Sequence, residues 1–100
     1  MIIITENDNG KITIKLEGWL DIESSPQLGA ETEKIESASS ITLDFDKVEY
    51  IASSGLRQVV ATNIKAKSLN ASFSVINAGN EVMSVFKLTG LDKKLDIKAK

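Results

Sequence analysis

The feature that most constrains the fold is a change in the spacing of apolar residues near the middle of the chain. Before the change, apolar and polar residues alternate, as in a strand with one covered face: Ile41, Leu43 and Phe45 alternate with Thr42 and Asp44. After it, apolar residues recur at the i, i+3, i+4 and i+8 positions of an amphipathic helix: Leu56, Val59, Val60 and Ile64. Residues 53–55 should therefore lie at a helix N-terminus. The pattern predicts an α/β protein in which helices cover a sheet.

Two strands and a helix are predicted before this junction. The β-branched run Ile2–Thr5 and the alternating residues 12–17 flank a turn cluster, which predicts a β-hairpin whose second strand is closed by Gly18. Pro26 fits the first position of a helix and Ser25 fits the cap before it, so we expect a helix to begin there.

A further strand, a helix and a short terminal piece are predicted after the junction. Residues 73–76 form the strand, and a helical stripe runs from about Asn80 to Gly90, which is placed to terminate it. We interpret the lysines that follow as a solvated tail: Lys93, Lys94, Lys98 and Lys100. The order of elements predicts one domain over residues 1–100, built on a mixed sheet with helices packed over it.

The composition excludes several classes of function. The 100 residues include no cysteine and no histidine, which removes disulfides, thiolate chemistry, the usual zinc sites and imidazole catalysis. The 12 basic and 14 acidic residues are scattered and give a net charge of -2, so a nucleic-acid binder is not expected. No apolar run approaches the ~20 residues that span a bilayer, and no signal-peptide core follows the first residues. We expect a cytoplasmic protein without metal, cofactor or membrane contact.

Ser53 and Ser54 stand where the first backbone N–H groups of a helix have no acceptor within that helix. A capping hydroxyl is the simpler interpretation, since a cap contributes on the order of 1 kcal/mol and needs no other role. The regulatory alternative is that the free N–H groups and the helix dipole would accommodate a phosphate on either serine. Such a phosphate adds about -1.5 to -2 charges and would remove a docked partner while leaving the fold intact.

The residues around this junction resemble the signature of STAS domains, the family of the bacterial anti-sigma factor antagonists. The resemblance rests on the run from Ile41 to Leu56 (ITLDFDKVEYIASSGL) and on two flanking pieces, 16–21 (LEGWLD) and 85–92 (VFKLTGLD). The first flanking piece resembles the second strand of the family and its turn, and the second resembles the closing helix. The three pieces stand in the order of the family and cover nearly the whole chain.

The resemblance implies a single STAS domain, with a four- to five-stranded mixed sheet and helices largely on one face, and it implies a regulatory cycle. In that cycle the unphosphorylated domain binds an anti-sigma factor or GHKL-type serine kinase, which then releases its sigma factor or other target. Phosphorylation ends the binding, and a PP2C-type serine phosphatase restores it. By position, Ser53 matches the phosphorylated serine, with Ser54 as the alternative. The family often has an aspartate where this chain has Ala52, so either kinase selection is changed or this copy is not phosphorylated.

Five residues are candidates for contact with the partner: Asp21, Ser53, Ser54, Gly55 and Arg57. Each also has a simpler interpretation. Gly55 would permit close packing or a tight turn, Asp21 would stabilise its own turn, and Arg57 would be an exposed helix residue. Trp19, the only tryptophan, is either an interface anchor or a partly buried packing residue.

No enzymatic activity is expected. A serine nucleophile needs an adjacent base, and without histidine only Lys, Asp or Glu could serve, which makes a hydrolase or transferase a minor alternative. Another alternative is a STAS scaffold or ligand-binding module that is not phosphorylated, which the missing acid at Ala52 would favour. For the regulatory module we expect a monomer or a weak homodimer.

Overall fold

The computed structural model describes every residue from Met1 to Lys100. Five strands form one sheet in sequence order: β1 (Ile2–Asp8), β2 (Lys11–Leu20), β3 (Ser40–Ile51), β4 (Ser72–Ala78) and β5 (Ile97–Ala99). The helices are α1 (Ser25–Glu33), α2 (Ser53–Ser68), α3 (Asn80–Thr89) and the short α4 (Leu91–Lys94). β1 is antiparallel to β2, and the other neighbours are parallel. The predicted mixed sheet is confirmed, with five strands.

One face of the sheet carries the helices because every parallel connection crosses over in the same sense between neighbouring strands. The side chains that alternate onto this face are buried: Ile12, Ile14 and Leu16 in β2, and Ile41, Leu43 and Phe45 in β3. Each long helix adds a buried side chain to this core: Leu28 from α1, Val59 from α2 and Phe86 from α3. The other face is open and polar, with a Thr42–Ser74 hydroxyl pair at 3.3 Å and a Lys15–Glu6 ion pair at 3.2 Å.

β2 runs through Gly18 to Leu20, so the predicted end of this strand at Gly18 is wrong. Gly18 has a φ of 109°, which a residue with a side chain rarely adopts, and glycine lets the strand continue there. The register between β2 and β3 is irregular in two places, and in each of them β3 carries one residue more than β2. The first bulge buries Val48, which strict alternation would expose, and the second returns β3 to its original phase, so that Ile51 is buried.

α2 occupies the predicted segment but turns a different side to the sheet. Its buried residues are Gly55, Val59, Thr62 and Ala66, whereas Ile64 of the predicted stripe is 60% exposed. Small residues take the inner side because α2 approaches β2 and β3 closely. The predicted stripe is right at Val59, which is buried, and in part at Leu56, which is half-buried against the core. α1 begins one residue earlier than predicted, with Ser24 at the cap position.

The terminal piece is folded, so the interpretation as a tail is wrong, although all four of its lysines are exposed as predicted. It forms α4 and the edge strand β5, and Lys100 makes an ion pair with Asp46 of β3 at 3.5 Å. The predicted end of α3 at Gly90 is confirmed, since this residue has a left-handed φ of 76°. No helix has the length and the apolar character needed to cross a membrane.

Candidate functional site

The junction between β3 and α2 lies at the carboxyl end of the parallel strands. Ala52 occupies the cap position in an extended conformation, and its N–H donates to the carbonyl of Leu20 at 2.9 Å. Its own carbonyl accepts from Leu56 N–H at 3.0 Å, which closes the first helical turn. Ser53 and Ser54 are therefore the first two residues inside the helix. Neither hydroxyl caps α2, so the capping interpretation is wrong.

The Ser53 side chain is exposed, and its hydroxyl makes no hydrogen bond within the protein. The backbone N–H groups of Ser53, Ser54 and Gly55 make none either. A side chain at the cap position normally accepts from the second or third of these groups, but the methyl group of Ala52 cannot. The helix start therefore presents unpaired donors beside a free hydroxyl, an arrangement that favours an anion.

Ser54 differs from its neighbour in accessibility. Its Oγ atom is buried and has no hydrogen-bond partner. The Ser53 side chain is thus accessible from solvent, whereas the Ser54 hydroxyl is shielded.

Gly55 is buried under α2, where an added Cβ would lie 2.5 Å from the Leu20 carbonyl oxygen and 2.8 Å from Ile51 Cγ1. Both distances are shorter than real Cβ atoms show. Gly55 thus offers no side chain to a partner. It sets how closely the start of α2 lies against β2 and β3, and thereby the position of Ser53.

Asp21 organises the turn between β2 and α1. Its Oδ1 accepts from the backbone N–H groups of Glu23 and Ser24, both at 3.1 Å, while the Ser24 hydroxyl accepts from Asp21 N–H and donates to Trp19 O. The hydrogen bond from the Ser24 N–H is the main reason that the pKa of Asp21 lies below the ordinary 3.8. Asp21 therefore stabilises its own turn. Its other carboxylate oxygen, Oδ2, makes no hydrogen bond.

Arg57 is exposed one helical turn after Ser53 and belongs to none of the ion pairs in the structure. It lines a shallow groove of about 390 Å³ between α2 and the start of α4, which we call the α2 groove: Ser53, Leu56, Arg57, Val60, Thr89 and Leu91. The structure thus brings Arg57 and Ser53 together at one surface, while Asp21 lies on the neighbouring turn.

Trp19 and Tyr50 form an exposed aromatic pair at the end of β2 and β3. Their ring centroids are 5.4 Å apart, and the side chains are 57% and 48% exposed. A partly buried packing role for Trp19 does not match this exposure. The sequence analysis did not single out Tyr50, because the bulge that brings it opposite Trp19 is a property of the β2–β3 register.

The molecule is a small α/β domain whose mixed sheet carries helices on one face. At the end of its parallel strands it exposes two aromatic rings and a hydroxyl without a hydrogen bond, features suited to protein contact. The chain belongs to the STAS domain family: the family model described as "Mlab, STAS domain" matches residues 4–97. It is 28% identical over 98 residues to the anti-sigma-B factor antagonist of Bacillus subtilis (strain 168), covering 97% of this chain and 89% of that protein.

Solved structures share the fold. An anti-sigma factor antagonist from Mycobacterium paratuberculosis superposes with a TM-score of 0.82 at 24% identity, covering 99% of this chain and 86% of that one. The anti-sigma factor antagonist SpoIIAA in its unphosphorylated form gives 0.76 at 16% identity, over 99% and 88% of the chains. The phosphorylated form of SpoIIAA from Bacillus gives 0.75 at 19% identity, over 96% and 90%. The STAS fold predicted from the sequence is confirmed, and it is the fold of SpoIIAA.

Proposed function

We propose that this STAS domain is a regulatory protein-binding module that phosphorylation of Ser53 turns off. The unphosphorylated domain binds an anti-sigma factor or GHKL-type serine kinase, which then releases its sigma factor or another target. The kinase phosphorylates Ser53, and a PP2C-type serine phosphatase reverses the modification. The domain itself catalyses no reaction, and its effect on transcription is indirect.

The observation that carries this proposal is the free hydroxyl of Ser53 at the start of α2, beside backbone N–H groups that have no acceptor. A phosphate there would meet donors and the positive end of the helix dipole, and Arg57 one turn later supplies a full positive charge. The fold would tolerate the modification, while a partner surface would gain about -1.5 to -2 charges.

The replacement of the usual aspartate by Ala52 bears on this phosphate site. An aspartate at a cap position would accept from the same N–H groups that a phosphate needs and would repel the phosphate. Ala52 leaves these groups free, so the helix start receives a phosphate more readily. Selection by the kinase then depends on other residues near the junction, of which Asp21 and Arg57 are the charged candidates.

The partner surface that we propose surrounds Ser53 and extends in two directions. On one side lie Asp21 and the Trp19–Tyr50 aromatic pair, and on the other lies the α2 groove with Arg57. Aromatic residues and arginine are the types that most often dominate binding energy at protein interfaces. Ser54 and Gly55 lie beneath this surface and support it. The Ser54 hydroxyl is buried, and Gly55 has no side chain.

A second candidate function is a STAS scaffold or ligand-binding module that is never phosphorylated. A kinase that recognises the acid that often precedes the phosphorylated serine would not find it here, where Ala52 stands, and this absence favours the second candidate. In that case the same surface would bind its partner constitutively.

The experiment that tests the proposal is the intact mass of the protein isolated from its native cells in growth and under stress. We expect a fraction with the added mass of one phosphate, localised to Ser53 by peptide mapping, that changes with conditions. Ser53→Ala should abolish the added mass, and Ser54→Ala is the matched control that should retain it. If no condition yields phosphate on either serine, the constitutive module replaces the switch.

A further inference from the structure

The two edges of the sheet differ in how they are protected. β5 is three residues long and carries Lys98, two features by which proteins prevent pairing of an edge with another chain. β1 is seven residues long, contains no lysine or proline, and begins with three isoleucines. Ile2 and Ile4 are 57% and 47% exposed on the open face of the sheet. The β1 edge is thus long and uncovered, and it is apolar over its first three residues, while Glu6 and Asp8 carry charge in its second half.

The hairpin turn determines which backbone groups of β1 face outward. Asn9 and Gly10 form a two-residue loop with positive φ values, so Asp8 and Lys11 are a hydrogen-bonded pair. Alternate residues back along β1 therefore bond to β2: Asp8, Glu6, Ile4 and Ile2. The N–H and C=O groups of Ile3, Thr5 and Asn7 point away from the sheet, and none of them has a backbone partner outside it.

We propose that β1 pairs antiparallel with β1 of a second copy of this chain, around a two-fold axis that passes beside Ile4 perpendicular to the sheet. In this register Ile3 lies opposite Thr5 of the second copy, so the outward donors and acceptors of both residues are satisfied. Ile4 lies opposite its own counterpart in a non-hydrogen-bonded pair, where side chains approach most closely. The result is one sheet that continues across both copies.

The charges of β1 are compatible with this register. Glu6 lies opposite Ile2 of the second copy and remains paired with Lys15 at 3.2 Å, so no like charges face each other. An axis beside Glu6 would instead place two carboxylates opposite each other, and an axis beside Thr5 would separate the two copies of Ile4. Of these three axes, only the one beside Ile4 brings the two copies of this isoleucine together without placing like charges opposite each other.

The expected dimer is weak. One strand pair covers less than the roughly 1,200 Å² of total surface that stable interfaces need, so we expect half-association at protein concentrations on the order of 100 µM. The pairing edge also lies away from Ser53, which stands at the carboxyl end of the central strand β3. This inference therefore does not depend on the proposed switch.

The test combines mass in solution with amide exchange. Sedimentation of the whole chain from about 5 to 500 µM should show a shift from one to two chains. Over the same range the amide protons of Ile3 and Thr5 should become protected from exchange, while that of Ile4, already bonded toward β2, should change little. A single-chain mass at the highest concentration would overturn the proposal.

Paired variants identify the surface. Ile4→Lys places two positive charges opposite each other and should abolish the concentration dependence, whereas Ile4→Val, which keeps a β-branched apolar side chain, should retain most of it. Ile22→Lys is the matched control, because this isoleucine is 78% exposed on the turn after β2, away from the edge. A dimer that persists in Ile4→Lys, or that Ile22→Lys also disrupts, would contradict pairing through β1.

Discussion

Gly55 in α2 lies so close to β2 that a Cβ atom on it would be 2.5 Å from the carbonyl oxygen of Leu20. The same carbonyl accepts the N–H of Ala52 at 2.9 Å, so the end of β2 fixes both the cap position and the first turn of α2. The exposed hydroxyl of Ser53 is held between these two contacts. The geometry of the proposed phosphate site thus depends on a glycine that no partner can touch.

Replacing Gly55 should therefore destabilise the domain. We expect Gly55→Ala to lower the free energy of unfolding by about 1–3 kcal/mol, since α2 must move away from a backbone atom. Gly79→Ser is the control, because a Cβ there meets no atom within 4 Å and serine suits the cap of α3. It should leave stability unchanged or raise it by a few tenths of a kcal/mol. Urea unfolding of the two variants measures both effects, and equal stabilities would show that α2 has room to shift.

The same substitution should affect stability differently at two serines whose hydroxyls lie inside the protein. Ser54→Ala removes an Oγ atom that has no partner, so stability should stay unchanged or rise by up to about 1 kcal/mol. Ser24→Ala removes a hydroxyl that bonds to Trp19 O and Asp21 N–H, and should cost about 1–3 kcal/mol. Thermal or urea unfolding of the two variants gives the sign of each change in stability. A loss at Ser54 as large as that at Ser24 would mean that its hydroxyl has a partner in solution.

A phosphate on Ser53 should have a second pKa below its usual value of about 6, because unpaired N–H groups and Arg57 favour the doubly charged form. Phosphoserine can be introduced at this position during synthesis, and the pKa read by phosphorus NMR. Arg57→Gln should raise the pKa towards the usual value, while Lys65→Gln, about three turns after Ser53 along α2, should not. An identical pKa in the Arg57 variant would exclude contact between this residue and the phosphate.

The turn at Asp21 should make stability depend on pH in the acid range. The pKa of Asp21 in the folded protein lies below 3.8, so its hydrogen bonds contribute fully above that value. The contribution is lost as the pH falls from there through the lower folded value. The advantage of the native chain over Asp21→Asn should accordingly shrink with acidification, as urea midpoints from neutral pH to about pH 2.5 would show. Glu23→Gln is the control for the loss of one negative charge. A difference in urea midpoint between the native chain and Asp21→Asn that stays constant with pH would contradict the prediction.

Much of the candidate site was visible in the sequence because it depends on local patterns. The change from strand to helix spacing located the start of α2, and the resemblance around Ile41–Leu56 indicated the family. The position of Ser53 in the first turn follows from these alone. These patterns could not show, however, whether a serine at a helix start caps the helix or follows the cap.

The bulges of β3 show where sequence reasoning stops. They bury Val48 out of phase and bring Tyr50 opposite Trp19. Both results depend on how many residues β3 carries against β2. The face that α2 turns inward likewise depends on its approach to Leu20, which favours small residues over the apolar ones that spacing alone selects.

The sequence by itself determined the class of fold, the order of the elements and the serine pair at a helix start, since these follow from periodicity and turn chemistry along the chain. Only the tertiary structure decided that the Ser53 side chain is exposed while the Ser54 hydroxyl is buried, that Gly55 lies too close to Leu20 to carry a side chain, and that β1 is a long uncovered edge. These properties arise where segments distant in sequence meet, and the physical reason is that burial, strand register and close approach are set by the neighbours that packing supplies.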